Sequence, residues 1–160
     1  MQASLKKVEK CYTATFHVHL QHTIEQVWKA LTENEQLKEW MPNLQAEDLR
    51  TGGSLSFHML DGTGTILPLT IIAYKEQAIL EFEWGTDAVK FVLEECVDGC
   101  MLTLKETIHT LTEHTAKDLS GWHMCLIRMS SLLEGKPSGF QPDKWEEWHS
   151  IYRKEIKELS

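Results

Sequence analysis

Two helical segments, each marked by a tryptophan, frame a middle region that is almost all strand signal. Upstream stands Thr23-Ile24-Glu25-Gln26-Val27-Trp28-Lys29-Ala30-Leu31-Thr32, running on to Leu37-Lys38-Glu39-Trp40-Met41-Pro42. Downstream stands Gly121-Trp122, followed by Leu126, Met129 and Leu133 at helical spacing. A helix pair, a β-meander and one late long helix predict a single sheet wrapped around that helix, with a pocket between the two layers.

The strands read off residue by residue. In Tyr12 to Leu20, Ala14, Phe16, Val18 and Leu20 take one face and Thr13, Thr15, His17 and His19 the other, which predicts a half-buried first strand. Thr23 is placed to cap the first helix, with Gln26 three residues on as its capping-box partner. Ile24, Val27, Trp28 and Leu31 give that helix an apolar stripe. Thr32 is the expected cap of a second short helix, which Pro42 ends. Leu55, Phe57 and Met59 share a face of the next strand, and Asp61-Gly62 signals a hairpin. Ile66 to Tyr74 reads as a strand that Pro68 assigns to an edge or a bulge. Leu80, Phe82 and Trp84 alternate against Glu81 and Glu83, and Val89, Phe91 and Leu93 share a face of the following strand. Asp98-Gly99 turns the chain into a last strand with Leu102, Leu104, Glu106 and Ile108 on one face. A long helix is predicted over 116–134, closed by Gly135 and Pro137. After a hinge at Pro137-Ser138-Gly139 and Pro142, a final helix over 143–159 carries Trp145, Trp148, Tyr152 and Ile156 on one stripe.

The 160 residues, 42% apolar and 25% charged, suffice for one domain with a real core. A net charge of −8 repels phosphate backbones and no Lys/Arg run offsets it, so nucleic acid is not an expected partner. The N-terminus lacks a secretory pattern and no apolar run reaches the length of a membrane span. A cytoplasmic chain without membrane insertion is the expectation, and its four cysteines, Cys11, Cys96, Cys100 and Cys125, would be reduced.

Val27-Trp28-x-Ala30-Leu31-Thr32, Leu37-x-x-Trp40, the strand-rich middle and Gly121-Trp122-x3-Leu126-x2-Met129 resemble the START-like superfamily (SRPBCC, the birch-pollen-allergen-like helix-grip fold). Within it, the branch they resemble is the family of activators of the ninety-kilodalton heat-shock protein ATPase, in single-domain bacterial form. The resemblance spans roughly Tyr12 to Glu134. It implies an α+β helix-grip fold: a curved antiparallel sheet of six to seven strands wrapped around a long C-terminal helix, two short helices closing one end, and an apolar cavity inside. Relatives bind lipids, hormones or polyketides, act as cyclases, or work on the chaperone, so the fold alone does not select a function. The tryptophan-rich extension after Pro142 departs from the usual pattern. The expected division is a domain over 1–136 and a helical extension over 137–160, packed on the domain or on a partner.

The inward candidates for ligand contact are Phe57, Met59, Phe82, Trp84, Phe91 and Leu93 from the sheet. The long helix adds Trp122, Leu126, Met129 and Leu133, and Trp40 is expected beside an entrance. Aromatics and methionines around a concave space suit flat or flexible apolar ligands, and the same residues also serve as plain core. Glu106 follows Leu102 and Leu104 on the inward face. Burial there would raise its pKa and make it an acid or an anchor for a ligand hydroxyl; the alternative is a strand end that is already wet. His123 and Arg128 read as solvent-facing near the mouth. His17 and His19 share a strand face with His22 following, but no nearby carboxylate or cysteine completes a recognisable motif, so surface histidines and no metal are expected. Cys96 and Cys100 are expected to be neighbours across their hairpin, as reduced thiols. The serines lack a G-x-S-x-G context, no P-loop or dinucleotide fingerprint is present, and no cofactor or catalytic residue is assigned.

The sequence thus reads as a binder of an apolar small molecule held between sheet and long helix, with the helix pair near Trp40 as a lid. Two alternatives stay open: a stress-response module contacting a heat-shock chaperone ATPase, and a cyclase-like enzyme using Glu106. Trp145, Trp148 and Tyr152 either pack on the chain's own sheet or anchor a second subunit or partner protein.

Overall fold

The computed structural model describes residues 1–136 and 139–160. Pro137 and Ser138, which belong to the expected hinge and helix stop, lie outside the described residues. The elements run β1 (Ser4–Val8), β2 (Cys11–Leu20), α1 (Ile24–Thr32), α2 (Asn34–Trp40), β3 (Leu44–Asp48), β4 (Ser54–His58) and β5 (Ile66–Lys75). They continue with β6 (Ile79–Trp84), β7 (Asp87–Cys96), β8 (Gly99–Ile108), α3 (Glu113–Leu133) and α4 (Pro142–Leu159). Among these residues the strands form one eight-stranded sheet in the order β1-β2-β8-β7-β6-β5-β4-β3, with every pair antiparallel.

The sheet holds more strands than its sequence pattern shows, and the additional ones are its two edges, β1 and β3. Both are short and mostly exposed, with sequences SLKKV and LQAED. An edge strand buries little, so it shows no apolar alternation; lysine in β1 also discourages pairing with another chain. Met59 departs from its expected place too. It falls past the end of β4, 36% exposed, with its N–H on the Thr65 carbonyl at the turn.

Across the middle of the sheet the register stacks one apolar row. Phe16 pairs with Leu104, and Leu104 with Phe91. Phe91 pairs in turn with Leu80 one strand further on. α3 lies on this face and buries Ala116, Leu119, Trp122, Leu126 and Met129, the three- and four-residue spacing of one helical stripe. It starts earlier than its apolar pattern. Thr112 caps it by accepting from His114 N, and the N3 partner of the capping box is Thr115 rather than Glu or Gln, which hides the start from a sequence reading.

α1 begins as its sequence predicts, with Thr23 and Gln26 completing the capping box. Thr32 does not cap α2. It ends α1 with its hydroxyl donating to Trp28 O at 2.7 Å, and Glu33 stands at the N-cap of α2 without a side-chain bond. α4 packs against α3 and β1. No helix among the described residues is long and apolar enough to cross a membrane.

Candidate functional site

The space under α3 is occupied by aromatic side chains. Trp122 sits with its ring 5.1 Å from Trp84 and 6.0 Å, edge-on, from Phe91. Phe91 stacks on Phe82 and receives the edge of Trp40. Trp40, Phe82, Phe91, Leu93, Trp122, Leu126 and Met129 are buried, while Phe57, Trp84 and Leu133 are half-buried. Trp40 therefore belongs to the core and not to an entrance. Its indole N–H donates to Ala30 O at 2.8 Å and fixes α2 to α1. Each of these large side chains contributes about 1.5–3 kcal/mol by its removal from water.

What remains open is the end of the helix–sheet interface, at the N-terminal end of α3. A pocket of about 360 Å³ lies there, lined by Trp84, Asp87, Glu106, Ile108, His114 and Asp118 among others. That volume is at the lower end of the range of small-molecule sites. Glu106 comes to it from β8, where the register puts it on the same face as Leu102 and Leu104, between Ala14 and Val89. It is only 2% exposed, and its Oε1 is buried without a hydrogen-bond partner. Trp84 arrives from the last position of β6 and donates its indole N–H to Asp118 Oδ1 at 3.1 Å. Asp87 opens β7 and accepts from the His109 backbone at 2.9 Å.

Burial, then the neighbouring Asp118, then Asp87, hold the Glu106 carboxyl well above the usual carboxylate range. Glu106 is therefore a neutral acid at ordinary pH, able to donate one hydrogen bond and to accept others. A second buried polar atom without a partner is Trp122 Nε1, on the ring that packs against Trp84. Glu106 lines the pocket beside Trp84, and its unsatisfied oxygen suits a ligand hydroxyl there, whereas Trp122 does not line it. Of the residues lining this pocket, sequence reasoning singled out only Trp84 and Glu106 as site candidates, and it missed Asp118, Asp87 and His114. Asp118 is exposed in type and sits on a helix whose stripe is apolar, so only its bond to Trp84 marks it.

The other helix residues behave differently from their sequence expectation. His123 is not solvent-facing. It is 2% exposed, stacked on Trp148 at 3.7 Å and edge-on to Phe16. The Tyr152 hydroxyl accepts from Ala3 N at 3.0 Å and shares a 2.8 Å hydrogen bond with His123 Nδ1. Burial accordingly lowers the pKa of His123 to about 4. Arg128 is half-buried and donates to Glu39 O at 3.0 Å, near the end of α2, where helix carbonyls lack internal partners. Tyr152 is wholly buried against its own chain, and the Ser120 hydroxyl donates to Trp145 O. Tyr152 thus offers no surface to a partner, while Trp145, Trp148 and Ile156 are half-buried.

A carboxylate and a cysteine also stand beside the paired histidines, contrary to the sequence reading. His19 Nε2 lies 2.8 Å from Asp98 Oδ1, and Cys96 Sγ lies 4.0 Å from the same oxygen. All four cysteines are free.

Comparisons with known proteins fit this architecture. A conserved protein of unknown function from Enterococcus faecalis superposes with a TM-score of 0.86 at 20% identity, over 99% of this chain and 92% of that one. CalU16 from Micromonospora echinospora superposes with a TM-score of 0.72 at 19% identity, over 94% of this chain and 93% of that one. DynU16, a putative protein in the dynemicin biosynthetic locus, gives 0.67 at 22% identity, over 80% of this chain and 49% of that one. At such identities the likeness shows the fold alone. No curated protein matches the sequence. The family model described as activator of Hsp90 ATPase homolog 1-like protein matches residues 21–134, from just before α1 to the end of α3. With most of its length inside that match, the chain belongs to the activator of Hsp90 ATPase homolog 1-like family.

Proposed function

We propose that this protein binds a small, largely apolar molecule at the open end of the helix–sheet interface, with Glu106 as its polar anchor. The observation that carries the reading is Glu106 itself, a carboxyl 2% exposed whose Oε1 has no partner and which lines a pocket. An unpaired buried polar group costs about 1–3 kcal/mol, and a bound hydroxyl or carbonyl removes that cost. Trp84 and Ile108 line the same pocket and give the apolar part of such a ligand a surface. One structural neighbour, DynU16, is described as a putative protein in a biosynthetic locus, which agrees with a small-molecule role without naming a ligand.

The experiment is a titration of the natural chain and Glu106→Ala with a panel of phenols, naphthols and medium-chain hydroxy acids, followed by tryptophan fluorescence. Saturable binding that weakens at least about tenfold in Glu106→Ala supports the reading. Equal binding in both chains, or none in either, overturns it.

A second reading is contact with a heat-shock chaperone ATPase. The family description suggests it, and the exposed apolar side chains of β5, Ile66, Leu67 and Ile72, give it a surface. An unchanged ATPase rate together with no pull-down of the chaperone would remove it.

A further inference from the structure

The tip of the β7–β8 hairpin is held against the end of β2 by a backbone approach that only glycine permits. A Cβ on Gly99 would stand 2.1 Å from the Leu20 carbonyl oxygen and 3.0 Å from Gln21 Cα. That approach brings three donor side chains together on the outer face of the sheet. His19 comes from β2, Cys96 ends β7, and Asp98 sits in the turn between β7 and β8. His19 Nε2, Cys96 Sγ and an Asp98 carboxylate oxygen all lie within 4.8 Å of one another.

We propose that His19, Cys96 and Asp98 form a surface site for a borderline-soft divalent cation, with zinc the best fit. An imidazole nitrogen, a thiolate and a carboxylate are all ordinary zinc donors. The mixed set disfavours calcium and magnesium, which require oxygen ligands in larger number. The mutual distances suit one ion bound at about 2.0–2.3 Å from each donor after small side-chain adjustments. Three protein ligands leave a fourth tetrahedral position, and here it faces solvent. A groove of about 330 Å³ lined by Gln26, Glu95 and His22 runs beside Cys96 and Asp98, so water or a further ligand can reach the ion. Binding releases the thiol proton to solvent as the Cys96 sulfur joins the metal, and no electron transfer is involved.

An exposed His–Asp pair alone is a common surface feature of little energetic weight. The thiol beside it separates the two readings, because an ion pair has no use for sulfur. The site shares no residue with the Glu106 pocket, so the two proposals stand or fall separately.

The test is titration of the reduced, full-length protein with Zn²⁺ against a chromophoric chelator, repeated with Co²⁺ as a spectroscopic stand-in. One metal per chain is expected, with a thiolate-to-cobalt charge-transfer band in the near ultraviolet. Cys96→Ser should abolish that band, and Cys96→Ser and His19→Ala should each weaken zinc at least about tenfold. Cys11→Ser and His17→Ala should leave both readouts unchanged. Circular dichroism of each variant separates lost binding from lost fold. No zinc uptake by the folded natural chain overturns the proposal, as does uptake that survives Cys96→Ser or that Cys11→Ser removes.

Discussion

The indole N–H of Trp84 donates to Oδ1 of Asp118 over 3.1 Å, a bond from the last residue of β6 to the second turn of α3. One turn further along the helix, Trp122 packs on the same indole. Trp84 thus joins the sheet to the helix at the rim of the pocket, through a polar bond on one side and an aromatic contact on the other.

Trp84→Phe keeps most of the apolar contact and removes the donor. The expected loss is about 1–2 kcal/mol, a drop of a few degrees in Tm. Thermal melts followed by circular dichroism measure it, and an unchanged Tm would show that the bond carries no weight.

Glu106→Gln replaces a buried acid by an amide of the same shape. Burial and two carboxylates raise the folded pKa of Glu106 above its ordinary 4.5. Above that value the unfolded chain has released a proton that the folded chain still holds. Stability therefore falls as pH rises from about 4.5, by up to about 1.4 kcal/mol per pH unit. Below it both states are protonated and the penalty vanishes. The amide variant should be more stable than the natural chain at pH 7 and level with it near pH 4, as read from urea melts. A variant no more stable at pH 7 argues against a neutral Glu106.

How much of this was legible in advance depended on how much each residue buries. The central strands, α3 and the capped start of α1 show because alternation and the apolar stripe record burial directly. β1 and β3 bury little on either side and leave no such record. Glu106 was visible as a carboxyl breaking an apolar row. Asp118 was not, because its role depends on a partner thirty-four positions away. The same holds for His123, which a helix pattern alone places toward water; only α4 and Phe16 together make its site apolar. His19 is likewise far in the chain from Cys96 and Asp98, and the close approach at Gly99 brings it to them.

His123 has the opposite pH signature to Glu106. Its pKa is lowered from 6.5 to about 4, chiefly by burial. Between those values the unfolded chain takes up a proton that the folded chain refuses. The stability present above pH 6.5 is therefore lost as pH falls toward 4, by up to about 1.4 kcal/mol per unit. His123→Phe keeps an aromatic ring under Trp148 and should flatten this acid limb in denaturant melts run from pH 4.5 to 7.5. An acid limb as steep as that of the natural chain would show that another group controls it.

Gly99→Ala tests the close approach at the β7–β8 turn. The added methyl group meets the backbone of Leu20 and Gln21, which has no rotamer to give way. A loss of at least about 2 kcal/mol is expected, in the range of strained backbone sites. Gly85→Ala provides the comparison, since its added Cβ meets nothing within 4 Å and only its φ of 63° is disfavoured. Equal losses in the two variants would show that the steric contact at Gly99 is unimportant.

Tyr152 bonds at once to the backbone of Ala3 and to His123, with Phe16 against its ring. The residue that completes this cluster emerges from the ribosome last. At ordinary rates of synthesis the stretch from Lys136 to Tyr152 takes about 1–3 s to make. Until Tyr152 is in place, His123 and Phe16 lack its ring and hydroxyl as neighbours, and Ala3 N lacks its acceptor. The nascent domain therefore waits, sticky on one flank, for its own tail to arrive.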